Sequence, residues 1–580
     1  MKRLVPLALA VTVVAAGCGG SSNGASSSGQ TSNRRPTATT TESSAASPLS
    51  WGRCADEMAA SAGLRCATLV VPVDPDTPKS GTVRIALARR AASGSRTQRI
   101  GSLVMNPGGP GGSGIEFLAG IASQMPEQLQ QRFDLVSFDP RGVGASSPVR
   151  CLTDAEKRRQ FTGDLSPDTP QEVQRALDDQ REFRSGCTRR SPQLLRHMST
   201  ADVANDLDRI RAALGDDRLT FLGLSYGTSI AATYATMFPE RVRALILDGS
   251  ISPNASDATA AAAQLRGFER TLERFVAACN TSKQCPLAPN ASAAIAAARA
   301  SVAANPVVVT SEGGPRTLGP DQFDLGLATA LYATATWGVA ANAVRTVRDA
   351  GARVLLTLGD QQTGRKADGT FDNSADAQTM VSCADSPERP SAAEATAAAQ
   401  RMAAATPGFG TSLGWSLLSC VDWPRPTNPN PVPRAPDAPK LLVIGTLGDP
   451  ATPYEWAQQM TEALGNATLL TYEGDGHTAF FKGSDCIDAA TAAYLIDLRV
   501  PAAGTRCTAV PDAATFGGLQ QELADQLQKA GVPEQVANCV VDNLVEQLGE
   551  GRLDQLVLDE NIDELSKYIT AATLDCATGG

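Results

Sequence analysis

The stretch RLTFLGLSYGTSIAATYATMF, Arg218 to Phe238, decides the fold, because it joins an apolar run to a helical segment through a turn that carries a serine. The run RLTFLGLS is typical of a buried strand, and YGTSIAATYATMF is typical of a helix with small side chains. Ser225 lies at the junction, between Gly223 and Gly227. The pattern G-x-S-x-G at such a junction predicts a nucleophile elbow, in which a tight turn exposes the serine hydroxyl above a helix N-terminus.

The pattern occurs at two other places, and its surroundings separate them from Ser225. Ser22 of GSSNG lies in a Ser- and Gly-rich segment, and Ser412 of GTSLG follows a Pro/Gly turn with no strand before it. Neither serine has the strand–turn–helix context. Ser225 is therefore the candidate nucleophile.

Apolar β-rich runs recur along the chain with helical segments between them, which predicts a mostly parallel α/β sheet. One of these segments, STADVANDLDRIRAALG, opens with a capping box from Ser199 to Asp202. The expected strands are TLVVPVD (68–74), TVRIALAR (82–89), IGSLVMN (100–106), FDLVSFD (133–139), RLTFLGLS (218–225), VRALILDGS (242–250), KLLVIGTLGD (440–449) and NATLLTYEG (466–474).

The sheet pattern stops near Ser250 and resumes near Lys440, and the Ala-rich stretch between them is mostly helical, which predicts an inserted cap over the site. After Cys507 a helical pattern begins again and predicts a small C-terminal appendage. The expected organisation is a signal peptide (1–17), a tether (18–50), the first part of the core (51–250), a helical cap (251–435), the second part of the core (436–507) and a C-terminal helical segment (508–580).

The N-terminus predicts export. Lys2 and Arg3 precede an apolar stretch that is too short to span a bilayer, and AAGC ends it in the manner of a bacterial lipobox. We expect Cys18 to be lipidated and to anchor the protein on the outer face of the cytoplasmic membrane, with release from the cell as a further expectation. The alternative is an ordinary secretory signal with an incidental cysteine. The Ser/Thr/Gly-rich segment after Cys18 is expected to be a disordered tether.

The thirteen cysteines fit an oxidising compartment, because setting Cys18 aside leaves an even number. Cysteines that are neighbours in the sequence suggest six disulfide pairs, although spacing does not prove connectivity. The suggested pairs are Cys54–Cys66, Cys151–Cys187, Cys279–Cys285, Cys383–Cys420, Cys486–Cys507 and Cys539–Cys576.

The sequence argues against two other classes of ligand. No C-x-x-C occurs and the chain has two histidines, so a metal site is not expected. A net charge of −10 argues against nucleic acid as a partner.

A serine nucleophile needs a histidine as its base, and the choice lies between two. His197 precedes Ser225, whereas His477 in EGDGHTAFF follows the last expected strand. In α/β hydrolases the triad runs Ser, then Asp or Glu, then His, which favours His477. We interpret His197 as structural.

Two acids compete to orient the imidazole of His477. Asp449 follows the strand KLLVIGTLG and precedes a turn, which is the more usual position for the acid. Asp248 ends the strand VRALIL, a position that some hydrolases use. We favour Asp449 and expect Asp248 to order the entrance to the cap.

Acyl transfer also needs hydrogen-bond donors for an oxyanion. MNPGGPGGSG (105–114) follows the third expected strand, and we assign the amides of Gly109 and Tyr226 as the donors. Pro110 has no N–H. A phosphate-binding loop is the competing interpretation, but it requires G-K-[ST], which is absent here.

Together, NPGGPGGSG, FDPRGVGASSPVRC, GLSYGTSIAATYATMFPERVRALILDG, GTLGDPATPYEWA and GDGH resemble the secreted tripeptidyl aminopeptidases of actinobacteria. This is the proline-iminopeptidase-related branch of the α/β hydrolases, and the resemblance spans about Ser50 to Cys507. It implies a serine exopeptidase that removes short peptides from free N-termini, without metal or cofactor, with motif residues at Ser225, Asp449 and His477. The C-terminal segment lies outside the family pattern and is a candidate partner-binding region.

An aminopeptidase needs carboxylates to hold the substrate ammonium group. Asp385 and Glu388 in SCADSPE are candidates, with Asp385 preferred as the anchor and a solvated loop charge as the alternative.

Two other functions stay open. An esterase or lipase of the envelope would use the same triad, although the cap lacks a dense Leu/Phe run for acyl chains. A non-catalytic binding lipoprotein would have no need of the triad.

Overall fold

The structure is a computed structural model that describes residues 49–406, 408–509, 516, 523–524, 527–528, 532–548, 553 and 562–578. The predicted signal peptide, Cys18 and the tether through residue 48 lie outside the described residues. None of the helices in the described part of the chain is both long and apolar enough to cross a membrane.

A ten-stranded sheet runs through the molecule, and a two-stranded hairpin lies apart from it. The strand order in the sheet is β1-β2-β3-β5-β4-β6-β7-β10-β11-β12, and β8 pairs with β9. The strands of the described residues are β1 (Gly52–Arg53), β2 (Arg65–Pro72), β3 (Thr82–Arg90), β4 (Gly101–Asn106), β5 (Phe133–Phe138), β6 (Leu219–Leu224), β7 (Val242–Asp248), β8 (Val307–Ser311), β9 (Gly314–Leu318), β10 (Leu441–Gly448), β11 (Ala467–Asp475) and β12 (Arg506–Thr508).

The sheet is mostly parallel, as predicted. Strands β5, β4, β6, β7, β10, β11 and β12 run parallel to one another. Strands β1, β2 and β3 form an antiparallel edge, and β3 pairs antiparallel with β5. Every residue of β4 and β5 is buried, as expected for strands that are covered by helices on both faces. Successive side chains of β4 enter different cores: Leu103 and Met105 pack in one cluster, and Val104 packs in the other.

Helices cover the sheet and build the regions outside it. The predicted capping box at α6 is confirmed, because Ser199 Oγ accepts the amide of Asp202 and the Asp202 carboxylate accepts the amide of Ser199. The helices are α1 (Glu57–Ser61), α2 (Gly114–Ile121), α3 (Glu127–Arg132), α4 (Asp154–Thr162), α5 (Pro170–Arg190), α6 (Thr200–Leu214), α7 (Gly227–Met237), α8 (Asp257–Thr281), α9 (Ala291–Ala304), α10 (Pro320–Ala330), α11 (Trp337–Arg345), α12 (Ala350–Thr363), α13 (Ser374–Asp385), α14 (Ala392–Ala405), α15 (Gly410–Leu413), α16 (Tyr454–Leu464), α17 (Asp485–Asp497), α18 (Glu534–Leu548) and α19 (Ile562–Thr578), with 3₁₀ turns at Pro239–Arg241, Thr334–Thr336 and Gly414–Cys420.

The chain between β7 and β10 forms helices α8 to α15 and the β8–β9 hairpin. Many of these elements share a hydrophobic cluster of their own, which includes Phe275, Phe323, Trp337 and Leu355. The hairpin was not predicted, because its strands alternate buried and exposed residues for only five positions each. We call this inserted region the cap.

The observed elements differ from the predicted ones at the sheet edges. The first long strand is β2, which begins three residues earlier than the expected start at Thr68. Strand β12 was not predicted, because its three residues carry no apolar pattern. All six suggested disulfides are formed. Cys539–Cys576 joins α18 to α19 in the C-terminal segment.

Candidate active site

The candidate residues lie at the carboxyl ends of neighbouring parallel strands. Ser225 follows β6, Asp248 ends β7, Asp449 follows β10, and His477 follows β11. These four strands are consecutive in the sheet. The carboxyl ends of parallel strands meet at one edge, which is where open α/β sheets form their binding crevices.

The turn at Ser225 is as tight as the sequence predicts. Ser225 has a φ of +55°, in the left-handed region that residues other than glycine rarely adopt. A Cβ on Gly223 would lie 2.2 Å from the carbonyl oxygen of Gly227, and a Cβ on Gly227 would lie 2.8 Å from that of Asn106. Glycine is therefore required at both positions, and the half-buried Ser225 is raised on the turn between β6 and α7.

The imidazole of His477 is buried and fixed from two sides. Its Nδ1 lies 2.9 Å from Asp449 Oδ1 and 3.0 Å from Oδ2. Its backbone N–H donates to the carbonyl of Tyr332 at 2.8 Å, and the Tyr332 ring packs edge-to-face on the imidazole at 5.5 Å between centroids. Because Nδ1–H donates to the carboxylate, the neutral ring carries its lone pair on Nε2.

The serine turn and the imidazole lie on either side of the end of β7. The N–H of Ser225 donates to the carbonyl of Asp248 at 2.9 Å. A Cβ built on the next residue, Gly249, would lie 3.3 Å from His477 Cε1. The elbow and the imidazole thus lie against two consecutive residues at the end of β7, Asp248 and Gly249.

The carboxylate of Asp449 is held by backbone and side-chain donors. Oδ1 accepts the amides of Ala451 and Thr452 at 2.9 and 2.8 Å, and Oδ2 accepts the Thr452 hydroxyl at 2.8 Å and the amide of Thr478 at 3.2 Å. Burial raises the pKa of Asp449, but the charge and hydrogen bonds of His477 and the bonds from Thr452 outweigh it, so the pKa lies below its ordinary value. Asp449 is thus ionised at neutral pH.

Asp248 orders a different segment from the one we expected. Its carboxylate accepts the amide of Ala479 at 3.0 Å and that of Phe480 at 2.8 Å, so it holds the loop that carries His477. The expectation that it orders the entrance to the cap is wrong in this respect, because the loop after β11 folds back over the end of β7. Asp248 makes no hydrogen bond to the imidazole among those of the described residues.

The glycine-rich loop after β4 lies against the elbow. A Cβ on Gly108 would lie 2.8 Å from Ser225 Cβ and 2.9 Å from the amide nitrogen of Tyr226. The N–H of Gly108 itself donates to Asn106 Oδ1 at 3.0 Å. Gly109 comes next, with a φ of +117° and a cis bond to Pro110. The loop thus brings its backbone to the amide of Tyr226.

Asp139, which follows β5, fixes the far end of this loop. Its Oδ1 accepts the Ser113 hydroxyl at 2.7 Å and the amide of Ile115 at 3.1 Å, and its Oδ2 accepts the amide of Ala145 at 2.8 Å. Burial raises the pKa of Asp139, against the opposing effect of these donors. The loop is therefore held at both ends.

Two other candidates, Asp385 and His197, have hydrogen-bond partners other than the imidazole of His477. Both oxygens of Asp385 accept hydrogen bonds from Thr200, from its amide at 2.7 Å and its hydroxyl at 2.6 Å. Burial raises the pKa of Asp385 to about 6. The carbonyl of His197 accepts a hydrogen bond from buried Arg141 at 3.1 Å, and burial lowers the pKa of the His197 ring. The ammonium-anchor role of Asp385 stays a prediction.

Sequence reasoning missed two residues of the site. Thr452 donates to Asp449 and lies 3.2 Å from His477 Nδ1, and its place three residues after Asp449 in DPATP was an available signal. Tyr332 belongs to the cap, and no pattern in the sequence links it to a loop after β11. Within the described residues, no group of three or more His, Cys, Asp and Glu side chains is arranged to hold a metal ion.

Comparison with known proteins identifies the family. Residues 101–484 match the family model described as alpha/beta hydrolase fold. The chain is 36% identical over 481 residues to "Serine protease Hip1" of Mycobacterium tuberculosis (strain ATCC 25618 / H37Rv), covering 79% of this chain and 91% of that protein.

Two further relatives carry other names. "Carboxylesterase B" of the same Mycobacterium tuberculosis strain is 35% identical over 474 residues, covering 79% of this chain and 89% of that protein. "Tripeptidyl aminopeptidase" of Streptomyces lividans is 28% identical over 475 residues, covering 80% of this chain and 87% of that protein. The chain therefore belongs to the α/β-hydrolase family and is a serine hydrolase of the peptidase type, related to the serine peptidases of actinobacteria.

Proposed function

We propose that the chain is an exported serine exopeptidase that removes short peptides, most simply tripeptides, from free N-termini through Ser225, His477 and Asp449. The observation that carries this proposal is the contact set around His477. Its Nδ1 lies 2.9 Å from Asp449 Oδ1. Its ring lies beside Gly249, the residue after Asp248, and the carbonyl of Asp248 accepts the N–H of Ser225.

The proposed reaction uses this geometry in two half-reactions. Ser225 Oγ attacks the peptide carbonyl while His477 Nε2 takes its proton, and Asp449 stabilises the imidazolium that forms. The amides of Tyr226 and Gly109 donate to the oxyanion. The imidazolium then protonates the leaving amine, which departs with the C-terminal part of the substrate. Water, deprotonated by His477, hydrolyses the acyl-enzyme and releases the short peptide with a free carboxylate.

A covered site favours short chain ends over internal loops of a folded substrate. His477 is 1% exposed, and the cap residue Tyr332 holds its backbone and covers its ring. A relative named tripeptidyl aminopeptidase supports the same specificity. A relative named carboxylesterase keeps ester hydrolysis as the second candidate, since the same three residues cleave esters.

Labelling with a fluorophosphonate, followed by peptide mapping, tests the nucleophile. We expect the label on Ser225 and none on the Ser225→Ala variant. Label on another serine would contradict the proposed triad.

A substrate panel tests the specificity. Tripeptidyl and monopeptidyl chromogenic amides, their N-blocked versions and a short-chain ester are offered to the purified protein. We expect the free tripeptidyl amide to be cleaved best and N-blocking to abolish its cleavage. Cleavage of the ester alone would replace the peptidase by an esterase, and no turnover with unchanged ligand binding in Ser225→Ala would support a binding protein.

The proposed location is the cell envelope, with a lipid on Cys18. The support is the lipobox-like AAGC after a short apolar stretch. Metabolic labelling with palmitate tests it: the wild-type chain is expected to take up label and to fractionate with membranes, and Cys18→Ser is expected to do neither. Equal labelling of both proteins would contradict the anchor.

A further inference from the structure

A chain of hydrogen bonds links Tyr226, the residue after the proposed nucleophile, to the cap. The Tyr226 hydroxyl lies 2.6 Å from Thr200 Oγ1, and Thr200 Oγ1 lies 2.6 Å from Asp385 Oδ2. The amide of Thr200 donates to Asp385 Oδ1 at 2.7 Å. Tyr226 and Thr200 are buried, and Asp385 ends the cap helix α13.

The chemistry of the groups fixes the direction of these bonds. An ionised carboxylate only accepts hydrogen bonds, so the hydroxyl proton of Thr200 points to Asp385. Thr200 Oγ1 has no second proton, and the Tyr226 hydroxyl must therefore be the donor in the bond between them. The Asp385 carboxylate thus orients Thr200, and Thr200 orients Tyr226.

The same helix touches the glycine-rich loop at its other end. A Cβ on Gly111 would lie 2.3 Å from the carbonyl oxygen of Ser374 and 3.1 Å from the amide nitrogen of Gln378, both in α13. The helix is held in place by the Cys383–Cys420 disulfide. Helix α13 therefore contacts the glycine-rich loop directly and is linked to the Tyr226 side chain through Thr200.

Asn373, just before α13, ties this end of the helix to the core. Its Nδ2 donates to the carbonyls of Gly142 and Val149 at 2.6 and 3.1 Å, and its Oδ1 accepts the amide of Gly144 at 3.1 Å. The segment that carries α13 is thus bonded to the loop after β5 as well as to α6.

We propose that α13 sets the geometry of the oxyanion site, and that Asp385 is a positioning residue that acts through Thr200 on Tyr226. The inference rests on the proposed function. It assigns Asp385 a role that runs through its hydrogen bonds to Thr200 and not through contact with substrate. The side chain of Asn430 also donates to this carboxylate. Loss of the chain of bonds lets the Tyr226 ring and the turn beneath it shift, which weakens an interaction made in the transition state.

Three variants of the full chain test the proposal: Tyr226→Phe, Thr200→Val and Asp385→Asn. Each is compared with the wild type for kcat and KM on the best free-amine peptide amide and on an uncharged ester. We expect kcat per active site to fall about tenfold on both substrates, the worth of about one hydrogen bond, with KM within a factor of two. Thr200→Ser keeps the hydroxyl and is expected to retain wild-type kcat.

Controls separate positioning from folding. Total fluorophosphonate label at long times counts the folded active sites, and the rate of labelling reports their reactivity. We expect the variants to reach the wild-type extent more slowly. Asp324→Asn removes a buried cap carboxylate that pairs with Arg299, and this variant is expected to change the melting temperature without changing kcat per labelled site.

Three outcomes would overturn the inference. Unchanged kcat per labelled site in Thr200→Val and Tyr226→Phe would remove the positioning role and leave the triad intact. A rise in KM confined to free-amine substrates in Asp385→Asn would make Asp385 the ammonium anchor instead. A lower melting temperature with normal kcat and normal labelling rate would mean that the chain of bonds stabilises the fold without positioning the oxyanion donors. Failure of wild-type Ser225 to take the label would instead contradict the proposed function itself.

Discussion

Ser225 has a backbone conformation that costs a non-glycine residue roughly 1–2 kcal/mol, and its neighbours hold it there. Its N–H donates to the carbonyl of Asp248, and its own carbonyl accepts the amide and the hydroxyl of Thr228. The Thr228 hydroxyl in turn accepts the amide of Ile251 at 3.1 Å. The turn is thus hydrogen-bonded to β7 and to the segment after it. A strained backbone conformation persists only where the surrounding structure holds it in this way.

Asp449→Asn is expected to remove most of the activity with little change in the backbone. An asparagine amide opposite Nδ1 of His477 favours the ring tautomer with hydrogen on Nε2, which cannot accept a proton from Ser225. We expect kcat to fall by roughly 10⁴-fold, as for an equivalent change in another serine hydrolase. Steady-state kinetics, with Ser225→Ala as the baseline, measures the loss. A loss of less than tenfold would contradict the assigned role of Asp449.

The raised pKa of Asp248 predicts that the free energy of unfolding depends on pH in an unusual way. Burial raises its pKa to about 6, although the amides of Phe480 and Ala479 and the charge of Lys482 favour ionisation, and the charge of Asp449 opposes it. The pKa of an unfolded aspartate is about 3.9. Between these values the folded chain binds a proton that the unfolded chain does not. The stability that this proton contributes is present below pH 4 and is lost as the pH rises through 6.

Asp248→Asn tests this, because asparagine does not titrate. We expect the free energy of unfolding of the wild type, minus that of the variant, to decrease by roughly 2–3 kcal/mol from pH 4 to pH 7. Urea unfolding at one-unit steps of pH gives the difference, and the titrating groups that do not interact with Asp248 cancel in it. A difference that is constant or that grows with pH would mean that the pKa of Asp248 is not raised.

At the scale of the element, the glycine-rich loop must lie flat on the elbow. Gly108 has a φ of +93°, and its Cβ would lie 2.5 Å from the carbonyl oxygen of Leu224 as well as close to Ser225 and Tyr226. Gly108→Ala is expected to displace the loop and lower kcat at least about 100-fold, the scale of a lost oxyanion donor. The same kinetic assay measures it.

Gly120→Ala is the matched control for Gly108→Ala. Gly120 lies in α2, which follows the loop, and a Cβ there meets no atom within 4 Å. Alanine favours a helix over glycine by about 1 kcal/mol, so this variant is expected to keep its kcat and to gain stability. Equal losses of activity in both variants would contradict the steric explanation.

The sequence was most informative where one element carries the whole signal. Strands such as β4 and β10 were predictable because burial on both faces makes a continuous apolar run, and the elbow because its turn requires Gly223 and Gly227. The contact of Tyr332 with His477 and that of Asp385 with Thr200 were not predictable. Each joins the cap to the core, and a local pattern contains no information on such distant partners.

At the scale of the whole molecule, the core, most of the cap and the C-terminal segment have hydrophobic clusters of their own, whereas α13 of the cap packs in a cluster of the core. The described side chains of α18 and α19 pack among themselves, and the cap has its own cluster. Among the described residues after β12, Phe516 packs against the cap: it is 7% exposed, and its ring centroid lies 5.8 Å from that of Phe275 and 6.5 Å from that of Trp337. This residue links the chain that follows the core to the cap.

Phe516→Ala is therefore expected to destabilise the cap from outside its own stretch of sequence. Removal of a buried phenylalanine leaves a cavity and costs about 3–5 kcal/mol. Val432→Ala is the control, because Val432 is 72% exposed and its loss costs less than about 0.5 kcal/mol. Calorimetry of both full-length variants measures the effect, and cap instability is expected to reach the site through Tyr332, which holds the His477 loop. Activity that declines at a lower temperature in Phe516→Ala than in Val432→Ala would show that coupling. Identical melting and inactivation profiles of the two variants would mean that Phe516 does not stabilise the cap.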